Sequence, residues 1–202
     1  MEKGKPPFPL SDKFLSFIHL QGLDEWESLF FANKFLYQDV LKEISSEDIV
    51  LDIGAGNLSL SILLAKKVKA VYAIEVNPMI IANALEDIGY NLPVNLYVTC
   101  GNALKLEFPK NVSAAILLMR HCLHFKEYFA KLKQTNCKKL ITNARWKSGF
   151  EVIDLDAPRI PFSALKEGWY ACDCGAVGYK GEGNFPDSMP VEVFGCPQCY
   201  SK

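Results

Sequence analysis

The stretch Val50–Pro78, VLDIGAGNLSLSILLAKKVKAVYAIEVNP, decides the fold. A short β-branched run ends on a glycine pair, a helical apolar pattern follows, and a second β-rich run closes on Glu75. Asn77 followed by Pro78 then reads as a helix start, a capping side chain before a first-turn proline. Strand, tight turn, helix and strand in that order make a crossover unit of parallel strands. Outward from it the rhythm continues. The runs VNLYVT, SAAILL and KLITN are further strands, with FEVIDL as a possible sixth, and helical patterns occupy Leu58–Val68, Pro78–Ile88 and about Leu123–Lys133. The expectation is an α/β fold built on a doubly wound, mainly parallel sheet.

In such a sheet, ligands sit beyond the carboxyl ends of the strands, where the first strand hands over to the first helix. Asp52, Gly54 and Gly56 fall at that point. Glycines there let the backbone approach a ligand, because a β-carbon would collide with it. A pyrophosphate gains nothing from a carboxylate two residues before the turn, whereas a ligand with an ammonium group does. Glu75, ending the second strand, can accept both hydroxyl hydrogens of a ribose. Asn102, in CGNAL after the third strand, can accept an adenine amino hydrogen. A dinucleotide turn, with Ser59 as its third small position, is the competing reading; a ligand-free structural turn is the plain one.

At these residues the chain resembles the class I S-adenosylmethionine-dependent methyltransferases, whose Rossmann-like fold the strand pattern matches. Asp52, Gly54 and Gly56 match the family's first motif, an acid followed by G-x-G-x-G, with Leu58 where the third glycine usually stands. AIEVNP is similar to the second motif, and GNAL to the G-D-A-L of the rRNA adenine dimethylase branch, with Asn102 replacing Asp. The likeness runs over roughly Ile49–Leu118. It implies S-adenosyl-L-methionine as cofactor, with Asp52 at its amino end, Gly54 and Gly56 giving close approach, Glu75 at the ribose and Asn102 at the adenine.

The acceptor half departs from that branch. After SAAILL the adenine-N6 enzymes carry Asn or Asp followed by proline and an aromatic, whereas this chain reads Met119-Arg120-His121-Cys122. Arg120 is a candidate clamp for a phosphate or carboxylate, and His121 a candidate general base near neutral pH. Either can equally be a plain loop residue, and His124 and His19 are secondary candidates.

Charge adds a hint about the acceptor. Residues 109–150 hold nine basic side chains against one acidic, although the whole chain is near neutral at −1. Lys126, Lys131, Lys133, Lys138, Lys139, Arg145 and Lys147, with Trp146 between two cations, suit a phosphate backbone and a stacked base, which points to RNA. Lysines that merely solvate a helix face, or a small-molecule acceptor, fit the same residues.

Seven cysteines do not form a secreted disulfide framework. Cys172 and Cys174 pair with Cys196 and Cys199 as the ligand set of a structural zinc ion in a ribbon-like tail, with one residue fewer than usual in the first pair. A redox Cys-x-x-Cys, a rubredoxin-type iron centre or unligated thiols are the alternatives. Cys100, Cys122 and Cys137 are expected in the core. The expected organisation is a helical segment over 1–47, the α/β domain over 48–166 and the tail over 167–202. No apolar run is long enough to span a bilayer and no secretory leader is indicated, so a cytoplasmic protein is expected. A methyltransferase acting on RNA or a small molecule is the first functional expectation; a non-catalytic S-adenosylmethionine-binding protein that contacts RNA or protein is the second.

Overall fold

The computed structural model describes residues 34–120, 122–145, 149–182 and 188–200. Its main sheet is made of the runs read above: β1 (Ile49–Ile53), β2 (Ala70–Glu75), β3 (Leu96–Cys100), β4 (Ala114–Leu117), β5 (Lys139–Thr142) and β6 (Glu151–Asp154). They lie in the order β3-β2-β1-β4-β5-β6. The first five are parallel, and β6 returns antiparallel to β5, Ile153 opposite Leu140. The order reverses between β1 and its two neighbours, which opens a crevice at the ends of β1 and β4.

Period-two alternation sends Val50 to one face and Leu51 and Ile53 to the other. Val50, Val71 and Ile116 pack with Leu60 and Leu64 and with Val40 on one side, while Leu51, Ala115 and Leu117 pack with Phe125, Phe129 and Leu132 on the other. Both faces are covered, and that is why the strands read as nearly unbroken apolar runs. The helices are α1 (Lys34–Lys42), α2 (Ser59–Ala65), α3 (Pro78–Asp87) and α4 (Phe125–Leu132). Asn77 caps α3 as expected, its side-chain oxygen accepting the N–H of Met79 at 3.0 Å and of Ile80 at 3.4 Å. Of the helical segment expected over 1–47, residues 1–33 lie outside the described residues. No helix among the described residues is long and apolar enough to cross a membrane.

A second sheet takes in β7 (Ile160–Pro161), β8 (Gly168–Cys172), β9 (Val177–Lys180) and β10 (Val191–Phe194), in the order β7-β10-β8-β9. It therefore starts at Ile160, ahead of the shift in composition near 167, because Ile160 and Pro161 pair with Val193 and Phe194. Its own core is Leu165, Tyr170, Cys172, Ala176, Val193 and Cys196. That is too little apolar surface to fold alone, so the tail needs a clip or a docking face. The docking face is α4 with Arg145, and the four cysteines bring their sulfurs within 4.8 Å of one another, in reach of a single metal ion.

Candidate active site

A cavity of about 470 Å³ opens at the carboxyl ends of β1, β2 and β4. Asp52, Gly54, Gly56, Glu75, Asn102 and Arg120 all line it. The size falls within the range of small-molecule sites, roughly 300–1,000 Å³.

Asp52 is 3% exposed and Glu75 4%, so two carboxylates are buried on adjacent strand ends. Ser61, on the inner face of α2, donates its hydroxyl hydrogen to Asp52 at 2.5 Å. Burial pushes the Asp52 carboxyl up to about 6; the Ser61 bond pulls the other way and the Glu75 charge adds to the rise. A buried carboxylate so destabilised gains most from a cationic partner. Tyr37 of α1 comes down on the same side. Burial and the Asp52 charge push its hydroxyl above the ordinary range.

Glu75 holds the glycine turn in place. One of its oxygens accepts the Gly56 N–H at 3.0 Å and the other accepts that of Asn77 at 2.9 Å. Each oxygen keeps a further lone pair for a ligand hydroxyl. Gly54 has φ 73°, and a β-carbon there would stand 2.9 Å from the Met119 sulfur, so glycine is required by both conformation and space. Leu58 occupies the place of the family's third glycine in the same left-handed region, at φ 62°, with no exposed surface. A bulky residue in that conformation is strained, and here its buried side chain offsets the strain.

Asn102 is exposed at the rim, its side-chain oxygen already accepting the Leu104 N–H at 2.9 Å. An adenine amino group would share that oxygen's second lone pair. The 103–106 loop behind it is tied down by Lys131, whose ammonium donates to the carbonyls of Ala103, Leu104 and Leu106 at 2.7, 3.0 and 2.5 Å.

On the acceptor side the structure brings Met119, Arg120, His124 and Tyr128 to the cavity. His121 lies outside the described residues, as do His19, Trp146 and Lys147. Tyr37 and Tyr128 line the cavity and Ser61 bonds the Asp52 that lines it; the sequence reading named none of the three. The only signal for Ser61 was a polar residue on the buried stripe of LSLSILL. For Tyr128 it was the spacing of one turn from His124.

The basic segment is corrected by the structure. Arg145, read as part of an RNA-facing edge, has a side chain only 1% exposed and bonds Glu151 at 2.7 Å and Glu192 at 2.7 Å. Burial alone would lower its pKa, but the two carboxylates outweigh that and hold the guanidinium charged. Lys133 donates to the Leu155 carbonyl and Lys139 to that of Glu43, so they hold loops together. Lys126, Lys133 and Lys138 are the exposed cations of that group among the described residues, Lys138 in a surface pair with Asp156.

Cys172, Cys174, Cys196 and Cys199 bring their four sulfurs within 4.8 Å of one another. Neighbouring sulfurs are 3.6 Å apart for Cys172 and Cys199, 3.5 Å for Cys174 and Cys196, and 3.9 Å for Cys196 and Cys199. A tetrahedron with zinc–sulfur bonds of about 2.3 Å has edges of about 3.8 Å, so the donor set fits that ion. Of the other three cysteines only Cys137 is buried; Cys100 is exposed and Cys122 half-buried, which corrects the expectation of core positions.

Residues 50–145 match the family model described as "Methyltransferase domain". The chain is similar to a probable ribosomal RNA small subunit methyltransferase A of Methanosarcina barkeri, 36% identical over 115 residues, covering 48% of this chain and 39% of the relative. An uncharacterized protein of Methanocaldococcus jannaschii is 34% identical over 99 residues, covering 48% of this chain and 36% of the relative. Among solved structures, a dimethyladenosine transferase from Plasmodium falciparum is 24% identical, with a TM-score of 0.46, over 55% of this chain and 41% of that one. This chain thus spans about two fifths or less of the curated relatives it matches. The matched span contains Asp52, Gly54, Gly56, Glu75 and Asn102. The matched span ends at Arg145, ahead of the second sheet and its four cysteines.

Proposed function

We propose that the chain is an S-adenosylmethionine-dependent methyltransferase acting on RNA. The observation that carries the donor assignment is the convergence of two buried carboxylates, Asp52 and Glu75, on one cavity whose floor is the glycine turn. Asp52 takes the donor's ammonium, Gly54 and Gly56 allow its close approach, Glu75 takes the ribose hydroxyls, and Asn102 takes the adenine amino group. The domain match and the ribosomal RNA relatives support this reading.

The donor supplies an electrophilic methyl group on a sulfonium. The chain's own residues have to hold the acceptor atom in line with the carbon–sulfur bond that breaks, and to receive the acceptor's proton where it has one. Arg120 orients the acceptor through an anionic group. His121 is the candidate proton acceptor by sequence, and His124 and Tyr128 line the cavity as further groups of that kind. The cysteine cluster holds zinc, which contributes to folding and stands outside the chemistry.

Calorimetric titration with S-adenosylhomocysteine and with NADH tests the donor site; binding of NADH in place of the homocysteine product would sink the assignment. Labelled donor incubated with total RNA or with a metabolite extract tests the acceptor. Transfer to the extract alone moves the acceptor to a small molecule. Donor binding with transfer to neither identifies a non-catalytic binding protein, a reading favoured by the absence of the dimethylase acceptor motif at Met119–Cys122.

A further inference from the structure

The cysteine cluster does not stand apart from the cavity. Gly175, in the turn that carries Cys172 and Cys174, lies against Phe125 so closely that a β-carbon on it would stand 3.1 Å from the Phe125 β-carbon. Phe125 is the first residue of α4 and is 2% exposed. Its neighbours on the same helix turn, His124 and Tyr128, line the acceptor side of the cavity. Arg145 fastens the same junction from the other side. Its guanidinium makes paired bonds to Glu151 on β6 and to Glu192 on β10, reaches the Cys172 carbonyl at 3.4 Å, and stacks over Phe125 at 5.7 Å. Arg159 completes the group, 3.6 Å from Glu192 and over the Phe129 ring at 4.7 Å.

We infer that the metal-bearing turn is a buttress for the acceptor wall of the methyltransferase cavity, with Phe125 and Arg145 as its positioning residues. Metal occupancy and the placement of His124 and Tyr128 are therefore coupled, while the donor half on β1 and β2 is not part of the coupling. The physical reason is packing density. A tight knuckle against a buried ring transmits a displacement, because neither side has a void to absorb it. Two carboxylates forked onto one buried guanidinium keep the two sheets in register, since separating them strands a charge away from water. Coupling of this kind is reciprocal, so whatever loosens the Phe125 contact also weakens metal retention. The inference rests on the methyltransferase reading only for its catalytic consequence.

The test uses the full chain purified with zinc. Amide hydrogen exchange is followed in α4 and in β1 and β2, before and after zinc is withdrawn by EDTA, and zinc release to a chromophoric chelator is timed for the wild type, Phe125→Leu and Arg145→Lys. Withdrawal is expected to speed exchange in residues 125–132 about tenfold and leave β1 and β2 protected, and both variants are expected to release zinc about tenfold faster. On total RNA with labelled donor, Phe125→Leu is expected to lower kcat with the donor KM unchanged. Unchanged exchange in α4 after zinc leaves, wild-type release rates in both variants, equal loss of protection in β1 and β2, or a chain that takes up no zinc would each overturn the inference. Titration with S-adenosylhomocysteine is read separately: its failure alongside coupled zinc and helix protection removes the methyltransferase reading and leaves the buttress standing.

Discussion

The Ser61 hydroxyl and the Asp52 carboxylate, nine residues apart in sequence, meet at 2.5 Å inside the protein, with Asp52 3% exposed and raised from 3.8 to about 6. A helix residue thereby holds a strand-end carboxylate at the wall of the cavity, in a place where its charge is poorly solvated.

The pH dependence follows with opposite signs for stability and binding. The folded pKa of Asp52 lies above the ordinary 3.8, so its contribution to stability is full below pH 4 and is lost as pH rises through about 6. The ionised group costs the unliganded fold about 3 kcal/mol above that pH. Binding of a cationic ligand needs the ionised form, so affinity for S-adenosylhomocysteine is expected to fall about tenfold per pH unit below 6, with proton release on binding. Titrations in two buffers of different ionisation enthalpy measure this. Asp52→Asn is expected to raise unliganded stability at pH 8 by about 1–3 kcal/mol and to weaken ligand binding by at least about tenfold.

Leu58 supplies a test of backbone strain against packing. Leu58→Ala keeps φ 62° and removes the buried side chain, so it is expected to cost about 3–5 kcal/mol in urea denaturation. Leu58→Gly loses the same contacts but relieves the left-handed strain, and is expected to be the more stable of the two by about 1 kcal/mol. The reverse order would mean that the strain at this turn is negligible.

The lysines divide by what their ammonium groups touch. Lys131→Met removes the partner of three loop carbonyls, and should destabilise the fold by about 1–3 kcal/mol and weaken S-adenosylhomocysteine binding several-fold through the Asn102 loop. Lys126→Ala, at an exposed position, should leave stability within about 0.5 kcal/mol. If RNA lies along that edge, Lys126→Ala lowers the slope of log affinity against log salt by about one and Lys131→Met does not. Fluorescence titrations of RNA at several salt concentrations check it.

Metal content is expected to be one zinc per chain, by elemental analysis of protein prepared without chelator. Cys174→Ser removes one of four donors and should strip the ion during dialysis and open the second sheet to protease, with cleavage expected between residues 160 and 200. Full retention of zinc by this variant would contradict four-cysteine ligation.

Much of the cavity at the end of β1 was legible because its determinants are local. A strand, a turn and a helix place Asp52 and Gly54 within a few residues of one another, and strands that are apolar at both parities require a sheet covered on both faces. Leu58 stands where the resembled motif has a glycine, and its backbone is left-handed at φ 62°. The rest of the cavity was less legible, because Tyr37 and Tyr128 reach it from two helices, Ser61 backs Asp52 from a third, and nothing in their immediate neighbours marks them. Cys100 and Cys122 were misread for a related reason: a thiol at a strand end is buried only if some distant segment covers it.

By itself, then, the order of residues determined the parallel sheet, the crevice at the end of β1, the two carboxylates facing it, and the paired cysteines, since each depends on short-range periodicity, turn chemistry or ligand spacing. Tertiary structure alone decided which cations remain at the surface and which are consumed inside. Arg145 shows why: its partners Glu151 and Glu192 lie 6 and 47 residues away, and only folding, by burying all three together, converts a surface-like charge into the joint between two sheets.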